Sequence, residues 1–386
     1  MIRIWKKKRI AAAISGRILL AGVLLAMLAT GCDRGGKEVR VGFIGGLSER
    51  NVDLGQAGYK GVVLAVEQVN RAGGINGQMV VLDSRDDAQN RETAFKAAEE
   101  LVAAKVVAVI GPFTSGMAAA ILPVFNRSRV LLISPTITGM DFYGKDDFMI
   151  RMNRTTGDNA GDYARELLAR GQKRVVAAMD ARNRAFTESW YNEFRDAMTK
   201  LGGDPTVKIE YESSAATDYA GIMKEMLADR PGGLLFISGA LDAARFAHQA
   251  RKQAPDLPIS AVEWAGSEQL TDLGGAVVEG LLVVQNYNRA DTGPRFRAFR
   301  EAFYRRFQSE PGYGSVMAHD AATVLFEALK KKTAAETPKE AVLKYGPYQG
   351  LQQEIVFDSN GDTDHKVYFT EIRNGQFRVL KVTGAP

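Results

Sequence analysis

The 386-residue chain contains one cysteine and three histidines, and these two scarcities remove several classes of function at once. A lone cysteine, Cys32, cannot cross-link its own chain, so no disulfide framework holds the fold. His248, His319 and His365 share no motif, and none has a cysteine or a second histidine at metal-ligand spacing, so no metal site is expected. His248, in an alanine-rich helical pattern, reads as a surface or interlobe residue, and His319 as a structural one. Also missing are the G-x-S-x-G nucleophile elbow, the G-x-x-x-x-G-K-[ST] phosphate loop and the G-x-G-x-x-G fingerprint. Asp86 and Asp87 are adjacent at a strand end and point in different directions, which fits structural hydrogen bonding better than a catalytic pair. Neither an enzyme nor a bound cofactor is expected.

Long apolar runs are scarce as well. The apolar core of the N-terminal segment, residues 18–29, is shorter than the about 20 residues a transmembrane helix needs. It follows Arg3, Lys6, Lys7, Lys8 and Arg9 and ends in Leu28-Ala-Thr-Gly-Cys32, the order of a secretory signal with its small-residue cleavage site, covering residues 1–31. Leu28-Ala-Thr-Gly-Cys32 resembles a lipoprotein lipobox, with Ala29 where leucine is commonest. Cys32 is therefore expected to become the first residue and to carry lipid, with residues 32–37 as a linker. Asp33 follows it, and in enterobacterial lipoproteins an aspartate there tends to hold the protein at the inner membrane.

A surplus of one charge sign disappears once that segment is set aside. Six of the 50 basic residues lie in it, with no acid, which leaves 44 basic against 45 acidic residues. A near-neutral mature protein gives no basic surface for nucleic acid. Removing 31 residues from 386 leaves 355, more than one hydrophobic core usually supports, so two globular domains are expected.

What the chain does have is alternation. Strand-like runs at 39–44, 79–82, 106–110, 130–134, 175–179, 207–211, 234–238, 259–263 and 281–285 are separated by helical spacing. Several are continuously apolar, as strands covered on both faces should be. The spacing predicts helices near Val62 to Val69, stopped by Gly73-Gly74, and over 91–104, 115–125, 159–169, 187–201 and 243–252. Alternating β and α elements imply parallel sheets with right-handed crossovers. Nine strands exceed one small sheet, so the expected class is α/β with two doubly wound parallel-sheet lobes. The tail departs from this, with helical segments at 294–307 and 315–332 and strands at 354–357, 366–372 and 377–382. Asp358-Ser-Asn-Gly-Asp-Thr-Asp364 imitates a calcium loop, but Gly361 is fourth rather than sixth and Phe369 stands at position twelve, so a β-turn is expected.

Two hydroxyl-rich turns are the candidate binding elements. Ile110-Gly-Pro-Phe-Thr-Ser-Gly116 follows one strand and opens a helix, where unpaired N–H groups and the helix dipole favour an anion. Ser115 either offers its hydroxyl to a ligand there or caps its helix. Ser134-Pro-Thr-Ile-Thr138 follows the next strand, and ligands of open α/β sheets bind outside the carboxyl ends of strands.

The order of these motifs resembles the leucine/isoleucine/valine-binding protein family, type I periplasmic binding proteins of ABC transporters. It is carried by residues 39–48, Ala65-Val-Glu-Gln-Val-Asn-Arg-Ala-Gly-Gly-Ile-Asn-Gly77, Asp86-Asp-Ala88, Gly111-Pro-Phe-Thr-Ser115, Ser134-Pro135, Met149-Ile-Arg151 and Gly280. The resemblance implies two lobes joined by hinge strands: 38–156 with 287–350, and 157–286 with 351–386. It implies that Ser115 and Thr138 hold a ligand carboxylate, that Thr136 contributes backbone contacts, and that Thr138 also meets the ammonium. Phe113 of the same turns belongs with these candidates. Phe186, where the family more often has tyrosine, would close over the ligand. The acid that pairs with the ammonium matches Glu263, or else Trp264 lines the pocket there, since strand alternation lets only one point inward. Leu54 and Ser238 stand where the family has aromatic residues, which alters the pocket's size. The implied product is a monomeric, extracytoplasmic lipoprotein that hands an amino acid or analogue to permease and ATPase subunits. A sensor or a regulatory partner of cell-wall enzymes could use the same fold and anchor.

Overall fold

Continuously apolar runs become strands buried on both faces. The computed structural model describes residues 38–48, 52–204 and 208–384, so the signal segment, Cys32 and the linker 32–37 lie outside the described residues. The first lobe is built from β1 (Val39–Gly45), α1 (Asp53–Arg71), β2 (Val80–Asp86), α2 (Arg91–Ala103), β3 (Ala108–Ile110), α3 (Ser115–Ser128), β4 (Leu131–Ser134) and β5 (Met149–Arg151). Its sheet is parallel, in the order β2-β1-β3-β4-β5. Every residue of β3 and β4 is buried.

The second lobe follows with α4 (Thr156–Ala169), β6 (Val175–Asp180), α5 (Arg184–Lys200), β7 (Lys208–Tyr211), α6 (Tyr219–Ala228), β8 (Gly233–Ile237), α7 (Ala240–Gln253), β9 (Ile259–Ala261), α8 (Glu268–Gly274) and β10 (Leu282–Gln285). The chain then forms α9 (Pro294–Phe307), α10 (Tyr313–Lys331), α11 (Pro338–Lys344), a small pair β11 (Tyr348–Gln349) and β12 (Glu354–Ile355), and the hairpin β13 (Val367–Arg373) and β14 (Gln376–Thr383). That hairpin extends the second sheet antiparallel, giving β14-β13-β10-β9-β8-β6-β7. Both sheets share the doubly wound core order 2-1-3-4-5, which reverses beside the first strand and opens a crevice at the carboxyl ends.

Three differences from the sequence reading have local causes. Helix α6 is absent from the sequence reading because it is only ten residues long and, apart from Lys224 and Glu225, has little polar contrast to its buried Tyr219, Met223 and Met226; the Asp218 carboxylate caps it by accepting from Gly221 N–H at 2.9 Å. Strand β5 is three residues long, too short for a pattern. Strand β9 stops at Ala261, and Glu263–Ala265 form a 3-10 turn where the spacing predicts two more strand residues.

The lobes are joined by three crossovers that lie side by side. Arg151 N–H donates to Gly361 O at 2.9 Å, and His365 Nε2 meets Asn153 Oδ1 at 3.1 Å. Gln352 receives from Asn288 N–H at 2.9 Å and returns a bond to Asn288 O at 2.6 Å. The fully buried Arg151 guanidinium is held by Asp147 at 2.6 Å and Asp362 at 3.3 Å. Asp362 belongs to the 358–364 turn, which Asp358 closes by accepting from the N–H groups of Asn360 and Asp362 at 2.9 Å each. His319 is buried on α10 against the Phe299 ring and pairs with Gln68 at 2.8 Å. Asp86 accepts from Leu47 and Ala88 N–H at 2.8 and 2.9 Å, binding two loops together.

Candidate functional site

The first-lobe wall begins at the end of β3. Gly111 has φ +125°, and a Cβ there would fall 1.9 Å from Ile44 O of β1, so only glycine lets the turn lie this close to its neighbour. Phe113 then packs its ring 5.6 Å from that of Phe43. Thr114 takes the N-cap position of α3 and no side chain caps it, so Ser115 is the first helical residue and its hydroxyl is not consumed in capping. After β4, Ser134 donates to Pro112 O at 3.1 Å and Thr136 to Phe113 O at 2.8 Å, which ties the two turns together. Thr138, 1% exposed, accepts from Thr156 Oγ at 3.0 Å. That bond leaves the Thr138 proton free for another acceptor.

The second-lobe wall is built around Tyr163, whose hydroxyl donates to Ala261 O and accepts from Val284 N–H at 2.8 Å, pinning β9 to β10. The turn that follows β9 places Glu263 and Trp264 on the same cavity. A 3-10 turn advances about 120° per residue, unlike the 180° of a strand, so neighbours can share a face. The expectation of one inward residue assumed a strand that has already ended. Glu263 is 3% exposed and its two oxygens accept from Asn159 Nδ2 and Trp190 Nε1, each at 3.1 Å. Burial pushes its carboxyl up from the ordinary range, and these donors oppose that rise. Phe186, at the start of α5, meets Trp264 edge-to-face with centroids 5.9 Å apart.

Between the walls lies a cavity of about 270 Å³. The first lobe and α10 contribute Leu54, Phe113, Thr114, Ser115, Thr136, Thr138 and Tyr313; the second contributes Asn183, Phe186, Glu263 and Trp264. Of the nine candidates, eight meet here. Ser238 does not: it is fully buried at the end of β8 with its hydroxyl bonded to Gly239 O at 3.3 Å. Asn183 and Tyr313 were missed, and each had a local signal, Asn183 at a strand-to-helix turn and Tyr313 at a helix start after Gly312. Thr114 sat inside the quoted turn without being singled out. The positions of Asn159 and Trp190, which orient Glu263, carried no sequence signal because each lies within an ordinary helix.

Larger grooves exist, one of about 670 Å³ beside His248 and one of about 870 Å³ beside Arg289, but neither gathers the carboxyl-end turns of both sheets. The small cavity is bipolar. The first-lobe wall offers the Ser115 and Thr138 hydroxyls and the start of α3, and the second-lobe wall a buried carboxylate, with Leu54, Phe113, Phe186 and Trp264 as apolar lining. An apolar lining with a few convergent polar groups suits a small solute.

Residues 38–376 match the family model described as periplasmic binding protein. The chain is 22% identical over 326 residues to a leucine-, isoleucine-, valine-, threonine- and alanine-binding protein of Pseudomonas aeruginosa, covering 84% of this chain and 87% of that one. It is 24% identical over 356 residues to Leu/Ile/Val-binding protein homolog 1 of Brucella suis, covering 90% and 93%. Among solved structures, the LivJ substrate-binding protein of Streptococcus pneumoniae in complex with isoleucine superposes with a TM-score of 0.82 at 22% identity, over 90% of this chain and 100% of that one. A solute-binding protein of R. palustris in complex with benzoate superposes at 0.80 and 18% identity, over 89% and 96%. The match over most of its length and the shared two-lobed fold place the chain in the periplasmic binding protein family, whose members bind solutes rather than catalyse reactions.

Proposed function

We propose that this protein is an extracytoplasmic solute-binding lipoprotein of an ABC importer that captures a small amino-acid-like ligand between two closing lobes. The closing units are residues 38–156 with 287–350 and 157–286 with 351–386, and the protein acts as a monomer. The observation that carries the reading is the pairing of opposite polarities, one from each lobe, on one cavity. The Ser115 and Thr138 hydroxyls, with the positive end of the α3 dipole, suit a carboxylate. The Glu263 carboxylate, held by Asn159 and Trp190, suits an ammonium. Thr136 and Phe113 shape the carboxylate end, and Leu54, Phe186 and Trp264 enclose the side chain. A micromolar complex needs about 8 kcal/mol, and nine heavy atoms at a ceiling of about 1.5 kcal/mol each supply at most about 13, so most of the ligand must be engaged. Closure then presents a shape that permease and ATPase subunits can distinguish from the open one. Lipidation at Cys32 would keep the protein at the membrane where that partner works.

A second reading, an aromatic acid as ligand, is favoured by one observation. The Trp264 indole N–H is buried and has no hydrogen-bond partner among the described residues, and it stands beside Phe186. A ligand acceptor there, such as a ring hydroxyl, would satisfy it.

Calorimetric titration of the mature protein with L-leucine, L-isoleucine, L-threonine, benzoate and 4-hydroxybenzoate separates the two readings. Binding of an α-amino acid, with a raised melting temperature and a smaller radius of gyration, is expected. Binding of the aromatic acids alone would transfer the assignment to the second reading.

A further inference from the structure

Helix α3 starts in the first lobe, yet its second amide is satisfied by the other lobe. Gly116 N–H donates to Asn183 Oδ1 at 2.8 Å, in a buried bond between residues 67 apart in sequence. The start of α3 has no side-chain cap of its own, so Asn183 does from across the cleft what an N-cap side chain does locally.

The two lobes approach closely there. A Cβ on Gly116 would lie 3.3 Å from both Arg182 O and Asn183 Oδ1, and one on Gly139 would lie 2.9 Å from Ala185 O. Two first-lobe glycines thus press against one stretch of the second lobe, 182–185. The seam continues on both sides of the cavity: Met140 N–H donates to Ser189 Oγ at 3.1 Å, and Ser267 Oγ to Asp53 Oδ2 at 2.5 Å.

We infer that Asn183 is a positioning residue for ligand capture, a latch whose bond to Gly116 forms when the lobes close and so sets affinity for every ligand alike. The inference rests on the proposed closing mechanism and deepens it. Because Asn183 also lines the cavity, a direct ligand contact is the competing role. A latch shifts the closed population and therefore scales all affinities by one factor, whereas a ligand contact changes their ratios.

Two variants attack the latch from opposite sides. Asn183→Ala removes the acceptor. Gly116→Ala leaves the acceptor and adds a methyl 3.3 Å from Arg182 O and Asn183 Oδ1, in a helical position where alanine is the better helix former. Its fold should therefore melt no lower than the wild type without ligand. Both should weaken every compound that binds by the same three- to tenfold, the range of one net hydrogen bond. Both should also reduce the ligand-induced fall in radius of gyration seen by small-angle scattering.

The panel is L-leucine, L-isoleucine, L-threonine, benzoate and 4-hydroxybenzoate, titrated into the full mature protein. Wild-type affinities and contraction in both alanine variants would overturn the latch while leaving the binding function intact. A changed order of preference among ligands in Asn183→Ala would overturn it in favour of a ligand contact. A wild type that contracts with none of the panel would remove the closing mechanism, and the latch with it.

Discussion

Replacing Glu263 by glutamine changes one charge in the cavity and almost no volume, so it isolates what that carboxylate does. In the free protein its oxygens take Asn159 Nδ2 and Trp190 Nε1 at 3.1 Å each. The amide keeps one acceptor and turns its NH₂ toward the other donor, which loses one hydrogen bond worth about 1 kcal/mol. Against that, the variant no longer buries a carboxylate whose protonation burial has already shifted upward. The two effects oppose, and the melting temperature without ligand should move by only a few degrees. Binding is different. A charge-assisted bond from an ammonium contributes about 1.5 to 3 kcal/mol, so amino-acid affinity should fall by roughly 10- to 150-fold. A ligand without an ammonium, such as benzoate, should bind Glu263→Gln as well as wild type or better. Calorimetry with an amino acid and benzoate on both proteins gives the ratio directly. If Glu263→Gln folds and binds the amino acid within threefold of wild type, Glu263 is not the counter-ion and the assignment of the cavity's two ends is wrong.

The opposite end predicts its own losses. Ser115→Ala and Thr138→Ala should each weaken an amino acid by about tenfold, and wild-type affinity in both would move the carboxylate site elsewhere. Asp320 lies buried on α10, where its carboxylate accepts from Leu351 N–H at 3.0 Å and burial raises it to about 7. The folded state therefore binds this proton more tightly than the unfolded chain, so the group makes stability fall as pH rises from about 4 to about 7 and adds no further slope above. Asp320→Asn should remove that contribution, on the order of 4 kcal/mol above neutral pH, seen as diverging urea-unfolding curves between pH 4.5 and 8. Parallel curves would show that Asp320 does not carry the shift. Cys32→Ser should abolish incorporation of labelled fatty acid and release the protein from the membrane fraction. Labelled protein in that variant would rule out Cys32 as the anchor.

The fold was largely legible because its signals are local. Runs such as Val175–Asp180 and Gly233–Ile237 are buried along their whole length, so composition alone marks them as two-faced strands. Pro294–Phe307 starts on a proline and presents Phe296, Phe299 and Phe303 at helical spacing to the core, which a periodicity reading finds to the residue. Such reading fails where an element is very short, as in Met149–Arg151, or has little polar contrast, as in Tyr219–Ala228.

The site divides in the same way. By itself the sequence determined which turns end the strands, and hence that Ser115, Thr136 and Thr138 stand at one crevice, because a parallel α/β sheet puts all its carboxyl-end loops on one edge. It also carries the expectation of a signal segment over residues 1–31 ahead of Cys32, which lies outside the described residues. Only the tertiary structure decided that Glu263 and Trp264 both face the cavity, since nothing local announces that β9 ends at Ala261. It alone decided that Asn159 and Trp190 hold Glu263, and that Asn183 caps a helix of the other lobe. These partners are 104, 73 and 67 residues apart in sequence. Their meeting depends on how two separately wound sheets face each other, which no window of local pattern contains.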